Sequence, residues 1–213
     1  MRRKLFATYT GWLILINVIA FVGFLILVNS VGEETAVNWV AIQPGNILSG
    51  VAVWTIITSM FMHAGLGHLF VNMLSLMFVG SFTERLVGKK RFLWVYLGGG
   101  IIAGLFFVLV AWLTGGDLNV YAVGASGAIF ALGGLLAVLT PRLPVLVFFI
   151  IPMPMWMAMI FLLGILWVVS FSLGLPIGNT AHLGGLLVGL GYGFYLKRKY
   201  PRKTAMISRY FSR

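Results

Sequence analysis

Residues 122–134 read AVGASGAIFALGG. One hydroxyl, Ser126, stands between Gly124 and Gly127 at the start of an otherwise apolar helical run. A serine inside a membrane helix normally bonds a backbone carbonyl of its own helix. What this serine does depends on where the other polar residues come to lie. Of the 213 residues, 61% are hydrophobic and 9% are charged, where a soluble domain carries roughly a quarter charged residues. The apolar runs approach or reach the roughly 20 residues a helix needs to cross a bilayer. The chain reads as an all-α, polytopic membrane protein with a single domain over residues 1–213. No linker, long-period repeat or low-complexity tract divides it. The absence of cysteine excludes thiol catalysis, disulfides and cysteine-based metal sites. The reading calls for no cofactor and no metal.

Working outward, the hydropathy pattern predicts six spans. They run from about Thr10 to Val28, Gly67 to Phe82, Phe92 to Leu113, Ala125 to Thr140, Met155 to Leu173 and Ala181 to Leu196. The first apolar run is too long for a signal peptide and no small-residue cleavage site follows it, so it is expected to be a retained span. Pro152 and Pro154 precede the fifth span, where proline is tolerated. The basic residues sort the loops. Three precede the first span, Arg85, Lys89, Lys90 and Arg91 follow the second, Arg142 follows the fourth, and seven lie from Lys197 onward. All fifteen therefore fall on one side, while Glu33, Glu34 and Asp117 fall on the other. Positive-inside bias places both termini in the cytoplasm, with residues 1–9 as an N-terminal segment and 197–213 as a basic tail. The net charge of +11 is then explained by topology and contact with anionic membrane lipids, and no nucleic-acid partner is expected.

With that orientation the second, fourth and sixth spans all begin at the outer face. His68 and Asn72 lie one turn apart near the start of the second, Ser126 starts the fourth, and His182 starts the sixth. At 1.5 Å rise per residue their depths agree within a few ångström. His182, Gly185, Gly189 and Gly193 form one stripe on the sixth helix, a surface made for close helix contact. Helix four offers Gly127, Gly133 and Gly134 in return. Two such smooth helices bring Ser126 and His182 within reach of a hydrogen bond, the arrangement of a nucleophile and its general base. Asp117, the nearest acid, reads as a solvated loop residue, so a dyad is the economical expectation. Oxyanion donors are available from the first amides of helix four, Ser126 included, and from the side chains of His68 and Asn72.

Three motifs together resemble the rhomboid intramembrane serine proteases. Gly124-Ala125-Ser126-Gly127 is similar to the family's GxSG, HAGLGHLFVNM (63–73) to its second-helix signature, and AHLGGLLVG (181–189) to its AHxxG. The resemblance spans essentially the whole chain and implies a six-helix bundle cutting single transmembrane helices near their outer ends. It implies Ser126 and His182 as the catalytic pair, His68, Asn72 and the Ser126 amide as the oxyanion hole, and support from Gly124, Gly127, Phe130, Gly185 and Gly189. Glu84-Arg85 sits where the family has an acid–base pair. Thr55 stands where many members have an arginine, and Phe130 where many have a tyrosine; a phenylalanine can stack on the histidine without a hydroxyl. Residues 38–54 are expected to lie in the outer leaflet, and 172–180 resemble the family's mobile cap. Two other classes fit a polar cluster in a bundle: a non-catalytic membrane-protein binder or chaperone on the same fold, and a small transporter. The transporter reading fits less well, because no inverted repeat is present and the polar residues sit at one face. Localisation is expected in the cell membrane, multi-pass, with the site near the outer face.

Overall fold

A computed structural model describes residues 8–148, 150–174 and 178–211. The chain opens with α1 (Tyr9–Val31), followed by three short helices, α2 (Glu33–Val40), α3 (Pro44–Leu48) and α4 (Thr55–Thr58). The second long helix runs from Leu66 to Val87 as α5 (Leu66–Ser75), a π-helical turn (Leu76–Gly80) and α6 (Ser81–Val87). Then come α7 (Lys89–Leu113), α8 (Ser126–Leu139), a hairpin of β1 (Pro144–Val147) and β2 (Ile151–Pro154), α9 (Met155–Leu173), α10 (Asn179–Lys199) and α11 (Pro201–Tyr210).

Six helices thus lie where spans are expected, but they are not six alike. Among the described residues, α1, the Leu66–Val87 helix, α7 and α9 are long and apolar enough to cross a membrane. At 14 residues α8 reaches only about 21 Å. The 21 residues of α10 have the length but not the hydropathy, being diluted by five glycines and closing on Lys197, Arg198 and Lys199. The all-α expectation needs one correction: the chain between α8 and α9 is an antiparallel hairpin, not a connector. The π turn, α2 to α4 and α11 are likewise additions to the expected plan.

The core is α8, enclosed by α7, α10 and the second helix. Eleven of its 14 residues are buried. Glycine makes this possible. A Cβ on Gly185 would collide with the Gly127 carbonyl, and one on Gly189 with the Ala131 carbonyl, so α10 lies backbone against backbone on α8. On the α7 side Gly99 faces Ala131, and a Cβ on Gly127 would come to 2.8 Å from that of Ala103.

At one end of the bundle, α2 to α4 interlock with the 115–125 segment. Ile42 and Ala122 exchange both backbone hydrogen bonds, Gly45 N–H donates to Leu118 O, and Tyr121 Oη donates to Asn38 Oδ1 at 2.6 Å. Thr55 is fully buried, its hydroxyl donating to Ala52 O at 2.7 Å, and Trp54 Nε1 donates to Trp39 O at 2.8 Å. The loop is therefore held from within. Leu48, Val51, Val53 and Trp54 on its far side are exposed. At the other end the Glu84 carboxylate accepts from Tyr9 N, Thr10 N and Thr10 Oγ1 at 2.8–3.0 Å. It caps the N-terminus of α1, where the helix dipole favours an anion. Arg85 turns away, donating to Ser81 O, so the two residues do not act as a pair.

Candidate active site

Gly124 shapes the approach to α8. Its φ of +123° is a conformation that side chains rarely adopt, and its N–H donates to Ser59 O at 2.8 Å. The chain then enters α8 directly at Ser126. The first bond within the helix runs from Ile129 N to Ala125 O, leaving the amides of Ser126, Gly127 and Ala128 without an intrahelical acceptor. A half-buried serine hydroxyl thus sits at the positive end of a helix, beside uncommitted N–H groups.

His182 enters from the first turn of α10. Its Nε2 lies 2.7 Å from Ser126 Oγ. The imidazole is buried, and Phe130, one turn along α8 from Ser126, stacks on it with ring centroids 4.7 Å apart and planes 16° apart. The His182 Nδ1 is buried with no hydrogen-bond partner among the described residues. Asp117 does not supply one: its carboxylate accepts Asn119 N–H within its own loop. The geometry is that of two groups, with Nε2 free to take the serine proton if Nδ1 carries the ring hydrogen.

His68 covers the opposite side. A Cβ on Gly124 would lie 2.9–3.0 Å from His68 Cε1 and Nε2 and 3.6 Å from Ser126 Oγ, so the glycine, the serine and this ring edge converge. The Ala64 N–H donates to His68 Nδ1 at 3.4 Å, which leaves Nε2 as the protonated nitrogen, on the ring edge that faces Gly124. Asn72 is buried one turn below, with one amide N–H donating to the His68 carbonyl at 2.9 Å. Of the expected site residues, Ser126, His182, Phe130, His68 and Gly124 are therefore brought together. Gly127, Gly185 and Gly189 form the seam beneath them, and Asn72 bonds within its own helix.

His63 escaped the sequence reading. It is fully buried between α4 and α5, its ring lies edge-on to His68 at 5.1 Å, and neither nitrogen forms a hydrogen bond with a described residue. Burial pushes its pKa down to about 4, with the neighbouring His68 adding to the effect. Its signal was the first histidine of the HAGLGH stretch, which only tertiary burial makes meaningful. Of the expected cap, residues 175–177 lie outside the described residues.

The structure thus sets a half-buried serine against a buried histidine at a helix N-terminus, in a bundle of apolar helices. Residues 51–199 match the Rhomboid domain, and the chain belongs to the rhomboid family, whose members are generally intramembrane serine proteases. It is 33% identical over 186 residues to Rhomboid protease GluP of Bacillus subtilis, covering 85% of this chain and 33% of that protein. It is 32% identical over 153 residues to Rhomboid protein 1, mitochondrial, of Saccharomyces cerevisiae, covering 70% of this chain and 43% of that one. Similarity to Putative rhomboid protease YdcA of Bacillus subtilis is 42% identity over 81 residues, 38% of each chain. The chain thus spans less than half the length of these relatives.

Proposed function

We propose that this protein is an intramembrane serine endopeptidase acting on transmembrane-helix substrates. The single observation that carries the reading is the 2.7 Å approach of His182 Nε2 to Ser126 Oγ at the N-terminus of α8. In this reading His182 removes the serine proton as Oγ attacks the scissile carbonyl, and returns it to the leaving amine. Water then hydrolyses the acyl-enzyme by the same route. The developing oxyanion is met by the Ser126 amide, by His68 Nε2–H and by the second amide hydrogen of Asn72. Phe130 holds the His182 ring in plane for the transfer. No cofactor is required.

Six spans, with α8 and α10 packed backbone against backbone, carry both termini to the cytoplasm in a cell membrane. The site lies near the outer face. In this reading Ser126, at the start of the short α8, lies below the membrane surface, where water reaches it only through the protein. A substrate helix must unwind locally to offer a peptide bond, so helix-breaking residues near the cut favour cleavage. The test is cleavage of a single-span substrate by purified protein in liposomes. Ser126→Ala and His182→Ala are each expected to lose all detectable cleavage while retaining the wild-type melting temperature, with the double variant no worse than either. Full activity in either single variant overturns the dyad. A binder or transporter on this fold would show no cleavage by the wild type.

A further inference from the structure

The hairpin between α8 and α9 has a composition that no water-exposed hairpin needs. Residues 144–154 read PVLVFFIIPMP, eleven residues without one hydrogen-bonding side chain. Leu146, Phe148, Ile150 and Ile151 are exposed, Ile150 at 78%. On the opposite face, which Ile151 shares, Val147 is buried, and Val145 packs with Leu143 on the cluster of Phe130, Leu136, Met155 and Met159.

The edges are as unusual as the faces. Pro144 pairs with Pro154, Val145 with Met153, Leu146 with Pro152 and Val147 with Ile151. Just beyond the ladder Met155 N–H donates to Leu143 O. Antiparallel pairs alternate between bonded and non-bonded, so Val145/Met153 and Val147/Ile151 carry the ladder bonds. The four non-bonded residues, whose amides point outward, are Pro144, Leu146, Pro152 and Pro154. Three of these are proline and have no N–H to offer. A sheet edge in lipid is normally excluded because its donors and acceptors go unpaired. Here proline has removed three of the four outward donors, while the four outward carbonyls remain.

Depth follows from α9. Its 19 residues make about 28 Å, close to the roughly 30 Å of a bilayer core, so the whole helix is needed to cross. The hairpin runs back along this helix: Phe148 meets Phe161 edge-on, ring centroids 6.3 Å apart. Phe161 lies six residues into α9, about 9 Å from its start. At that start, half-exposed Trp156 and Lys197 line one cleft, and tryptophan and lysine are residue types that mark a membrane interface.

We propose that the hairpin of β1 and β2 is re-entrant, immersed in the leaflet where α9 begins, with acyl chains as the partner of its exposed side chains Leu146, Phe148, Ile150 and Ile151. The outward carbonyls of Pro144 and Pro154 lie at headgroup level and accept from water there; those of Leu146 and Pro152 and the Leu146 N–H lie nearer the tip, and their desolvation is the cost that burial of the apolar side chains must offset. The proposal does not depend on which side of the membrane that leaflet faces, nor on catalysis.

The chain has no cysteine, so single thiols report cleanly. Ile150→Cys, with Leu146→Cys as a second position and Lys203→Cys as the water-exposed control, is reconstituted into phosphatidylcholine–phosphatidylglycerol vesicles opened to reagent on both sides. A membrane-impermeant maleimide measures water access. Bimane at the same thiols, with lipids spin-labelled either in the headgroup or midway along the acyl chain, measures depth. Labelling at Ile150→Cys is expected at least tenfold slower than at Lys203→Cys, with stronger quenching by the acyl-chain label. Rapid labelling, or slow labelling without acyl-chain quenching (a tip covered by protein), overturns the proposal. Ile150→Cys and Leu146→Cys serve independently should one fail to fold.

Discussion

Helices α8 and α9 are neighbours in sequence and opposites in construction. Eleven of 14 residues are buried in α8, against three of 19 in α9, and those three, Met155, Ala158 and Met159, lie in its first turn and a half. One is sealed by backbone contacts with α10; the other is held at one end by side chains and by the hairpin. The hydroxyl and the imidazole sit on the sealed pair. In the proposed mechanism the chemical step, which tolerates little misplacement, falls where the helices cannot slide.

The largest expected effect breaks the sealed side. Gly185→Ala and Gly189→Ala each drive a methyl into a main-chain carbonyl of α8, which cannot rotate aside. A cost of about 3 kcal/mol or more is expected, with loss of folding or of all cleavage. Wild-type melting temperatures for both would show that α10 stands off from α8.

Next comes the question of whether Asn72 belongs to the chemistry or to the packing. Asn72→Ala is expected to lower kcat on the order of 10²–10³-fold with little change in substrate Kd, since an oxyanion donor acts only as charge develops. A near-normal kcat with a lowered melting temperature would assign Asn72 to packing, through its bond to the His68 carbonyl.

His63 gives a third, smaller effect. In the unfolded chain its pKa is near 6.5, and in the folded protein about 4. Between those values the unfolded state binds the proton and the folded state does not. Stability from this group is complete above about pH 6.5 and falls as the pH drops toward 4, by on the order of 3 kcal/mol. Thermal melts across that window should show the loss, and His63→Asn should reduce it. An unchanged profile in the variant would rule His63 out as its source.

The smallest effect lies on the open side. A methyl added at Gly164 in α9 would meet nothing within 4 Å, so Gly164→Ala should be neutral or stabilising by roughly 0.5–1 kcal/mol. A clear loss would mean that α9 packs more tightly than its exposure indicates.

The sequence made the long helices legible because a helix in lipid must be apolar and of fixed length; Met155–Leu173 came out at its observed limits. The glycine stripe on α10 was legible for a related reason, since close helix approach leaves few residue choices. The hairpin was not. An unbroken run such as PVLVFFIIPMP has no period to separate strand from helix, and its prolines read as a helix start. Thr55 was legible as a departure from the family pattern, but its internal bond to Ala52 depends on a turn the pattern does not encode. Within the candidate site, the four polar residues could be set at one depth by counting turns. That Asn72 spends an amide hydrogen on His68, and that His63 is buried against the same ring, depends on side-chain placement that spacing does not encode.

The central claim is that Ser126 is a nucleophile activated by His182. The most direct measurement is covalent labelling of the purified protein by a fluorophosphonate, read by intact mass and peptide mapping. One adduct per chain, on Ser126, is predicted, absent in Ser126→Ala and reduced to background in His182→Ala. An unlabelled wild-type protein with the fold intact, or an adduct on any other residue, would contradict it.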